Sequence, residues 1–596
     1  MKKFFFIASL LSVCSLMINS QKPVFNQTVS GTTTVVSISD LSHFAPIDSM
    51  IYGQMLEDCN DAVIYGGVVD KKGAENLSVT KQLMRLRIPV MRWPAGTAIY
   101  DYEWQKGVGP TRTAVSEHIW GGTEYYTFGT DEFVNWCKKL DIEPYINIPM
   151  GNNNTYDHSV EKALSWVEYV NGETGTPMGD YRRNNGYPVP YGVRFFCIGN
   201  ENYLGNKFHK GESAAEYAEQ LTLYASAIKR MYPEVKLLGV GHTGTWNKVV
   251  VEKCGKDLDF LTMHYYMTAK IKDNQLMDPE KTLFAPELVE ANLRHFINDL
   301  TTYNISVGRT SNPIRFSIDE WNCRHSVYNG SSYSFTRKDG RRLYDAAAMA
   351  GMLNVFIRTS PYVAMANYIF PVNGHGLLKT VGNQDAYPSV CYYLYNLYRK
   401  FMTGRAVGVN VTGPGIKDLE LKNLKIDGDT DSSQDGKKVD RCYVDCAAVV
   451  NEEEHLVVSI VNRSYDAKQE VNVVVPDGYK MNSAYQVSAN DVCAENTEED
   501  RSLVKSSTLK LTSPTVTLNP CATVLILFEK DTAEKVLGNP TTLFPYVIDG
   551  RIYVEGEENF NVYTTSGYKV DENAKQSPGI YVVQTGDKSM KVCVEY

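Results

Sequence analysis

The sequence predicts an α/β protein: a (β/α)8 barrel with a C-terminal β-sandwich and a small extra C-terminal β module. From about residue 50 to 400, apolar β-prone runs alternate with amphipathic stretches at helical spacing. From about 406 to 530, short runs of alternating polarity are separated by Gly, Asp and Ser turns, the pattern of a sandwich. A further set of short strands fills residues 541–596. At 596 residues the chain exceeds what one compact core supports, so several domains are expected.

Taken in chain order, residues 1–20 read as a signal peptide. Lys2 and Lys3 give the charged start, Phe4 to Met17 the apolar stretch, and Ile18-Asn19-Ser20 a small-residue exit. That stretch is too short to span a bilayer, and no later run is long and uniformly apolar, so no membrane span is expected. Val13 is a poor residue to precede a lipidated Cys14. The protein is read as exported, to the periplasm, the cell surface or the medium. Residues 21–45 are strand-like and join the sandwich, and the barrel occupies 46–403. Its eight expected strands are 50–56, 87–92, 143–150, 193–198, 235–240, 258–264, 314–318 and 362–369, with helices such as 131–140, 160–170, 213–231, 287–300 and 342–358 between them. A doubly wound open sheet is disfavoured because no glycine-rich phosphate loop follows the first strand. The sandwich is assigned to 404–530. Within it, Asp427-x-Asp429-x-Asp431 resembles a calcium loop but has Lys438 where a bidentate Glu belongs, so a solvated hairpin loop is expected. The module at 541–596 resembles the C-terminal sorting modules of secreted Bacteroidetes proteins through its turn glycines and its Gly579-Ile580-Tyr581 strand; an accessory β domain packed on the sandwich is the other reading.

A net charge of -9 argues against a nucleic-acid partner, which needs a basic face. The 39 Tyr suit sugar-binding surfaces, whose ligands stack C–H faces on rings, and equally suit β-sheet. Removing the leader leaves eleven of the 12 Cys, an odd number without paired spacing, so free buried thiols are expected. The His residues show no metal spacing, and neither metal nor cofactor is expected.

Two segments carry the chemistry. Gly199-Asn200-Glu201 and Ile318-Asp319-Glu320-Trp321-Asn322 each put a glutamate at the C-terminal end of an apolar run, the fourth and seventh strands of eight. Charges placed there escape the core and face the cleft at the barrel mouth. Two facing carboxyls are the minimum for cleaving a glycosidic bond: one protonates the leaving oxygen while the other stays ionised. Glu201 suits the acid and Glu320 the nucleophile. Asn200 is placed to bond the sugar 2-hydroxyl.

These motifs have company. Ile51-Tyr52-Gly53, Arg92-Trp93-Pro94-Ala95-Gly96, Trp104 with Gly107-Val108-Gly109-Pro110, Phe128-Gly129-Thr130-Asp131-Glu132-Phe133, Met263-His264-Tyr265-Tyr266 and Val363-Ala364-Met365-Ala366-Asn367 follow in order. In them the chain resembles the α-L-arabinofuranosidases of glycoside hydrolase family 51. The resemblance implies a retaining, exo-acting enzyme that removes terminal α-L-arabinofuranosyl groups from plant cell-wall polysaccharides such as arabinoxylan or arabinan. It implies Glu201 as acid/base, Glu320 as nucleophile, and Glu57, Asn200, Tyr266 and Gln384 as sugar contacts. It also implies homo-oligomeric assembly. The family usually reads Pro-Gly-Gly-Asn where this chain has Pro94-Ala95-Gly96-Thr97, a change that bears on sugar preference.

Around this core, Glu57 has a second reading as a salt-bridge partner of Arg92. His264 is expected to orient a carboxylate rather than act as a base. Trp93, Trp104 and Trp321 are candidate pocket walls, although packing is the commoner use of buried Trp. The competing functions are another retaining glycosidase on the same barrel, an endo-β-glucanase or β-xylosidase, and a non-catalytic glycan-binding protein.

Overall fold

The computed structural model describes residues 23–58, 61–151, 158–205, 209–382 and 384–531, and parts of the C-terminal segment from 545 to 594. The expected signal peptide lies outside the described residues.

Eight parallel strands close into a barrel: β1 Gly53–Met55, β2 Val90–Trp93, β3 Glu143–Ile148, β4 Phe195–Ile198, β5 Lys236–Val240, β6 Phe260–Lys272, β7 Arg315–Tyr328 and β8 Val363–Tyr368. The ring is sealed by β8 against β1, with Asn367 opposite Gly53, and by β6 against β7. Inward-pointing Val90, Tyr145, Phe195, Cys197, Leu238, Phe260 and Met365 form one buried cluster, so the barrel is a packed core and its chemistry is left to the rim. Helices cover the outside, and their starts are written locally. The Asn76 side chain accepts from the Ser78 and Val79 amides ahead of Leu77–Leu86, and Ser213 with Glu216 forms a capping box ahead of Ala214–Met231.

β6 and β7 run well past the ends expected at 264 and 318. Beyond the barrel mouth they continue to pair with each other as far as Ile271 and Val327. Tyr333–Thr336 adds to β7, and Ile426–Gly428 adds antiparallel to β6 opposite Tyr265, Tyr266 and Met267. The Asp427-x-Asp429-x-Asp431 stretch is therefore not a solvated loop: Asp429 is 1% exposed. Its local polarity misled because the strand edge it covers lies far away in sequence.

The sandwich has a five-stranded and a seven-stranded sheet around Val36, Val411, Cys442, Val444, Cys446, Val458, Ile460, Val471 and Val524. Phe25–Val29 and Thr34–Ser37 pair in the first sheet and Phe44–Pro46 in the second. Glu287 on a barrel helix meets Arg441 and Arg463 of the sandwich, each at 2.5 Å, and Arg358 meets Asp445 at 2.9 Å. The nine described cysteines are all free. The C-terminal segment forms a two-stranded sheet and a four-stranded one. No helix among the described residues is long and apolar enough to cross a membrane.

Candidate active site

Glu201 follows β4 in a turn where its own φ is +44°, a left-handed conformation that costs energy for a residue with a Cβ. That turn lifts its side chain out of the strand line toward the barrel mouth, where it is 20% exposed. Glu320 lies inside β7. Opposite β6 the register passes from Met263–Ile318 to His264–Glu320, so Asp319 is an extra, bulged residue. Bulges re-aim side chains, and here two neighbouring carboxylates reach the same partner.

That partner is Arg92 of β2, 1% exposed. Its Nη1 donates to Glu320 Oε1 at 2.8 Å, its Nη2 to Asn200 Oδ1 at 2.6 Å, and its Nε faces Asp319 Oδ2 at 3.2 Å. Asp319 also accepts from Tyr145 and Ser317, each at 2.6 Å. With its oxygen held by Arg92, Asn200 is left with a buried Nδ2 that has no partner, a donor available to a ligand. The Tyr266 hydroxyl donates to Glu320 Oε2, and the Arg324 guanidinium stacks 3.3 Å from the Tyr266 ring centre.

His264 joins the two glutamates. Its Nδ1 is 2.9 Å from Glu201 Oε1 and 3.6 Å from Glu320 Oε2. One oxygen of each carboxyl and the ring nitrogen all lie within 4.8 Å of one another. His264 thus stands against the carboxyl of Glu201, the kind of group it is expected to orient.

Glu57 does not pair with Arg92. Its Oε1 accepts from the Gly96 amide at 2.9 Å, the Ala98 amide at 3.2 Å and Trp120 Nε1 at 3.1 Å. A Cβ on Gly96 would stand 2.6 Å from Glu320 Oε1 and 3.5 Å from Glu57 Oε1, so only glycine leaves the space between these carboxylates open. Gln384 is not brought to this cluster. It is exposed in the turn joining Leu378–Val381 to Asp385–Pro388, and its amide donates to the Glu75 carbonyl at 3.1 Å. The sugar-contact reading of Gln384 rests on the resemblance, while the bond it makes here is to Glu75, outside the carboxylate cluster. Trp93, Trp104 and Trp321 are packing residues. Trp93 stacks on Phe133, Trp104 on Trp166, and Trp321 sits edge-on to Phe356 and Tyr368.

Burial alone would raise Glu320, but His264 and Arg92 outweigh it and hold the carboxyl down to about 2. Burial would lower His264, yet the charge of Glu320, the bond to Glu201 and the charge of Asp429 lift it to about 9. Glu57 is pushed up, by burial first and then by the charge of Glu320. The site therefore holds an imidazolium between two carboxyls at neutral pH. Because His264 is raised in the folded state, its contribution to stability is complete below its ordinary value of 6.5 and is lost as pH rises through about 9. Urea midpoints measured at pH values from about 6 to 10 should fall less steeply for His264→Gln than for the wild type; parallel curves would contradict the assignment.

A second group of described ligand atoms, from Cys323, His325 and Asp345, also lies within 4.8 Å of one another. There the Arg341 guanidinium stands 3.2 Å from both His325 Nε2 and Asp345 Oδ1, so a cation is already supplied by the chain.

The chain matches the model of the alpha-L-arabinofuranosidase 1 domain over residues 82–282 and that of the alpha-L-arabinofuranosidase C-terminal domain over 319–521. Probable alpha-L-arabinofuranosidase C of Aspergillus clavatus is 29% identical over 457 residues, spanning 73% of this chain and 85% of the relative. The solved family 51 arabinofuranosidase of Thermotoga petrophila is 26% identical, with a TM-score of 0.70 over 84% of this chain and 100% of the other. The chain belongs to the α-L-arabinofuranosidases of glycoside hydrolase family 51. It is a glycoside hydrolase. The arabinose-complexed arabinofuranosidase of Thermotoga maritima is similar at 25% identity and a TM-score of 0.69, covering 83% of this chain and 99% of that one.

Four residues of this arabinofuranosidase site were not singled out as such from sequence. Arg92 sits in an apolar strand run, and Arg324 in the mixed polar extension of β7. Trp120, 38% exposed with its indole N–H on Glu57, lies in an irregular Gly-rich stretch with no period to read. Asp429 comes from beyond the barrel. The one local signal is a charge in an otherwise apolar strand, which marks Arg92.

Proposed function

We propose that the enzyme is exo-acting and retaining, removing terminal α-L-arabinofuranosyl groups from plant cell-wall polysaccharides such as arabinoxylan or arabinan by double displacement. Glu320 is the nucleophile and Glu201 the acid/base. The observation that carries this reading is the proximity of the two carboxyls, with one oxygen of each and His264 Nδ1 within 4.8 Å. Retaining hydrolases hold their carboxyls about 5–5.5 Å apart, too close to seat a water between carboxylate and sugar.

In this reading Glu320, kept ionised by His264 and Arg92, attacks the anomeric carbon as protonated Glu201 gives its proton to the leaving oxygen. Glu201 then takes a proton from water, which hydrolyses the arabinosyl ester on Glu320. The unpartnered Asn200 Nδ2 bonds the sugar 2-hydroxyl, a contact that strengthens as positive charge grows on the ring. Tyr266 keeps its proton, because burial and the charge of Glu320 raise it well above its ordinary value, and so it stays a donor to the nucleophile. Glu57 is the further sugar-binding carboxyl.

We also read the protein as exported, from residues 1–20, and as a homo-oligomer. The 541–596 segment is read as an accessory module, with sorting during secretion as its proposed role.

The test is release of p-nitrophenol from arabinofuranosyl, xylosyl and glucosyl substrates, with NMR of the first-formed sugar. Arabinofuranoside cleavage with retained configuration is expected. Preferential xyloside or glucoside turnover would replace the substrate assignment, and an inverted first product would refute the double displacement.

A further inference from the structure

We propose that Asp429, delivered from the chain segment beyond the barrel, is a positioning residue that fixes His264 and, through it, the Glu201 carboxyl during proton transfer. The inference rests on the reading of Glu201 as the acid.

Asp429 follows the short strand Ile426–Gly428 that lies against β6. Its Oδ2 accepts from the His264 backbone amide at 2.6 Å, and its own amide donates to the His264 carbonyl at 2.9 Å. Its Oδ1 accepts from the Tyr203 hydroxyl at 2.8 Å and faces His242 Nδ1 at 2.7 Å. Tyr203 lies two residues beyond Glu201, and its ring stacks on His242 at 3.8 Å. One buried carboxylate thus ties together the residue that bonds the acid, the turn that carries the acid, and the loop after β5. No barrel strand supplies this group, since Asp429 lies in the chain after β8.

The docking is close. Gly428 has φ +131°, and a Cβ there would stand 2.2 Å from the His264 carbonyl oxygen. The same strand grips the other half of the site: Asp427 pairs with Arg324 at 2.7 Å, and Arg324 stacks on the tyrosine that bonds Glu320. Both halves of the catalytic pair are therefore backed by carboxylates from one short segment.

The chemical consequence is specific to one step. When Glu201 gives up its proton it becomes a carboxylate whose neighbour is His264 Nδ1, and the 2.9 Å contact stabilises it. The groups facing His264 are Glu201 after β4, Glu320 on β7 with Arg92 behind it, and Asp429 with His242 beyond it. Losing the charge of Asp429 weakens the imidazolium and loosens the bonds that hold the His264 backbone and the Tyr203 turn in place. The harm should concentrate on substrates whose leaving oxygen needs a full proton.

The experiment compares Asp429→Asn with wild type on methyl α-L-arabinofuranoside, a poor leaving group, and on p-nitrophenyl α-L-arabinofuranoside, a good one. On the methyl glycoside kcat is expected to fall roughly 10- to 100-fold, the scale of a misaligned catalytic group, with KM little changed. On the nitrophenyl glycoside the fall should be about threefold or less, because such a leaving group needs little help from an acid. The alkaline limb of the kcat/KM profile should move to lower pH. Equal losses on both substrates with an unmoved alkaline limb would overturn the proposal and leave Asp429 a packing group. Should Asp429→Asn not fold, Tyr203→Phe removes one donor to the same carboxylate, and a smaller split in the same direction is expected; no split there overturns the proposal as well. Glu201→Ala is run beside them. If it shows no leaving-group dependence, the acid assignment fails; if it does and the Asp429 and Tyr203 variants do not, the positioning role fails.

Discussion

Replacement of Glu320 by alanine is expected to lower kcat by at least about 10^4-fold, the scale seen when a covalent nucleophile is removed. The loss should be equally severe on good and poor leaving groups, since no acid catalysis compensates for a missing nucleophile. The fold should survive, because Arg92 keeps Asp319 at 3.2 Å and Asn200 at 2.6 Å when Glu320 is truncated. Azide is small enough to enter the vacated volume and attack the anomeric carbon from the nucleophile's side. Added azide should therefore restore turnover of the nitrophenyl arabinoside and yield an arabinosyl azide of inverted configuration. Azide rescue of Glu201→Ala should instead give retained configuration, because the intermediate on Glu320 still forms. Residual activity of Glu320→Ala above about one per cent, or a retained azide product, would mean that another group is the nucleophile.

Much of this site was legible because strand ends constrain charge. An apolar run that stops on Glu201 or meets Glu320 must present that carboxyl to a cleft, and eight alternating β and α units make the cleft a barrel mouth. The barrel strands were found near their expected places for the same reason: fully buried strands read as continuous apolar runs. What failed was long-range. The extensions of β6 and β7 mix polar and aromatic residues, and only their mutual pairing, from Phe260–Arg315 to Ile271–Val327, makes them strand. Asp429 looks like loop until the β6 edge beneath it is known. Trp120 has no periodicity to betray it, whereas Trp93, Trp104 and Trp321 looked like pocket walls because apolar runs do not say which face a ring takes. Gln384 was carried over from resemblance alone, and the hairpin turn it occupies faces solvent.

Arg92→Met should combine the second large loss of activity with the largest loss of stability. The guanidinium is 1% exposed and supplies the cation for two buried carboxylates, Asp319 and Glu320. Methionine fills similar length without charge, so both carboxylates lose their compensation. Breaking a buried pair from one side costs about 3–5 kcal/mol, which urea unfolding would read directly. The kinetic effect follows from the same charges. Glu320 is held down to about 2 because His264 and Arg92 outweigh its burial, so without Arg92 its folded value rises. A carboxyl depressed in the folded state stabilises above its ordinary value of 4.5 and loses that contribution as pH falls through about 2. In Arg92→Met this contribution shrinks, its loss on acidification is complete at a higher pH, and the acid limb of kcat/KM shifts upward with it. Arg92→Lys separates charge from geometry. A lysine restores a cation to the pair but cannot reach Glu320, Asp319 and Asn200 at once from one nitrogen. It should recover most of the stability and the acid limb, yet leave kcat low, because Asn200 Oδ1 loses the 2.6 Å bond that aims its free amide into the pocket. Full recovery of kcat by lysine would reduce Arg92 to a counter-charge and remove Asn200 from the list of groups it positions.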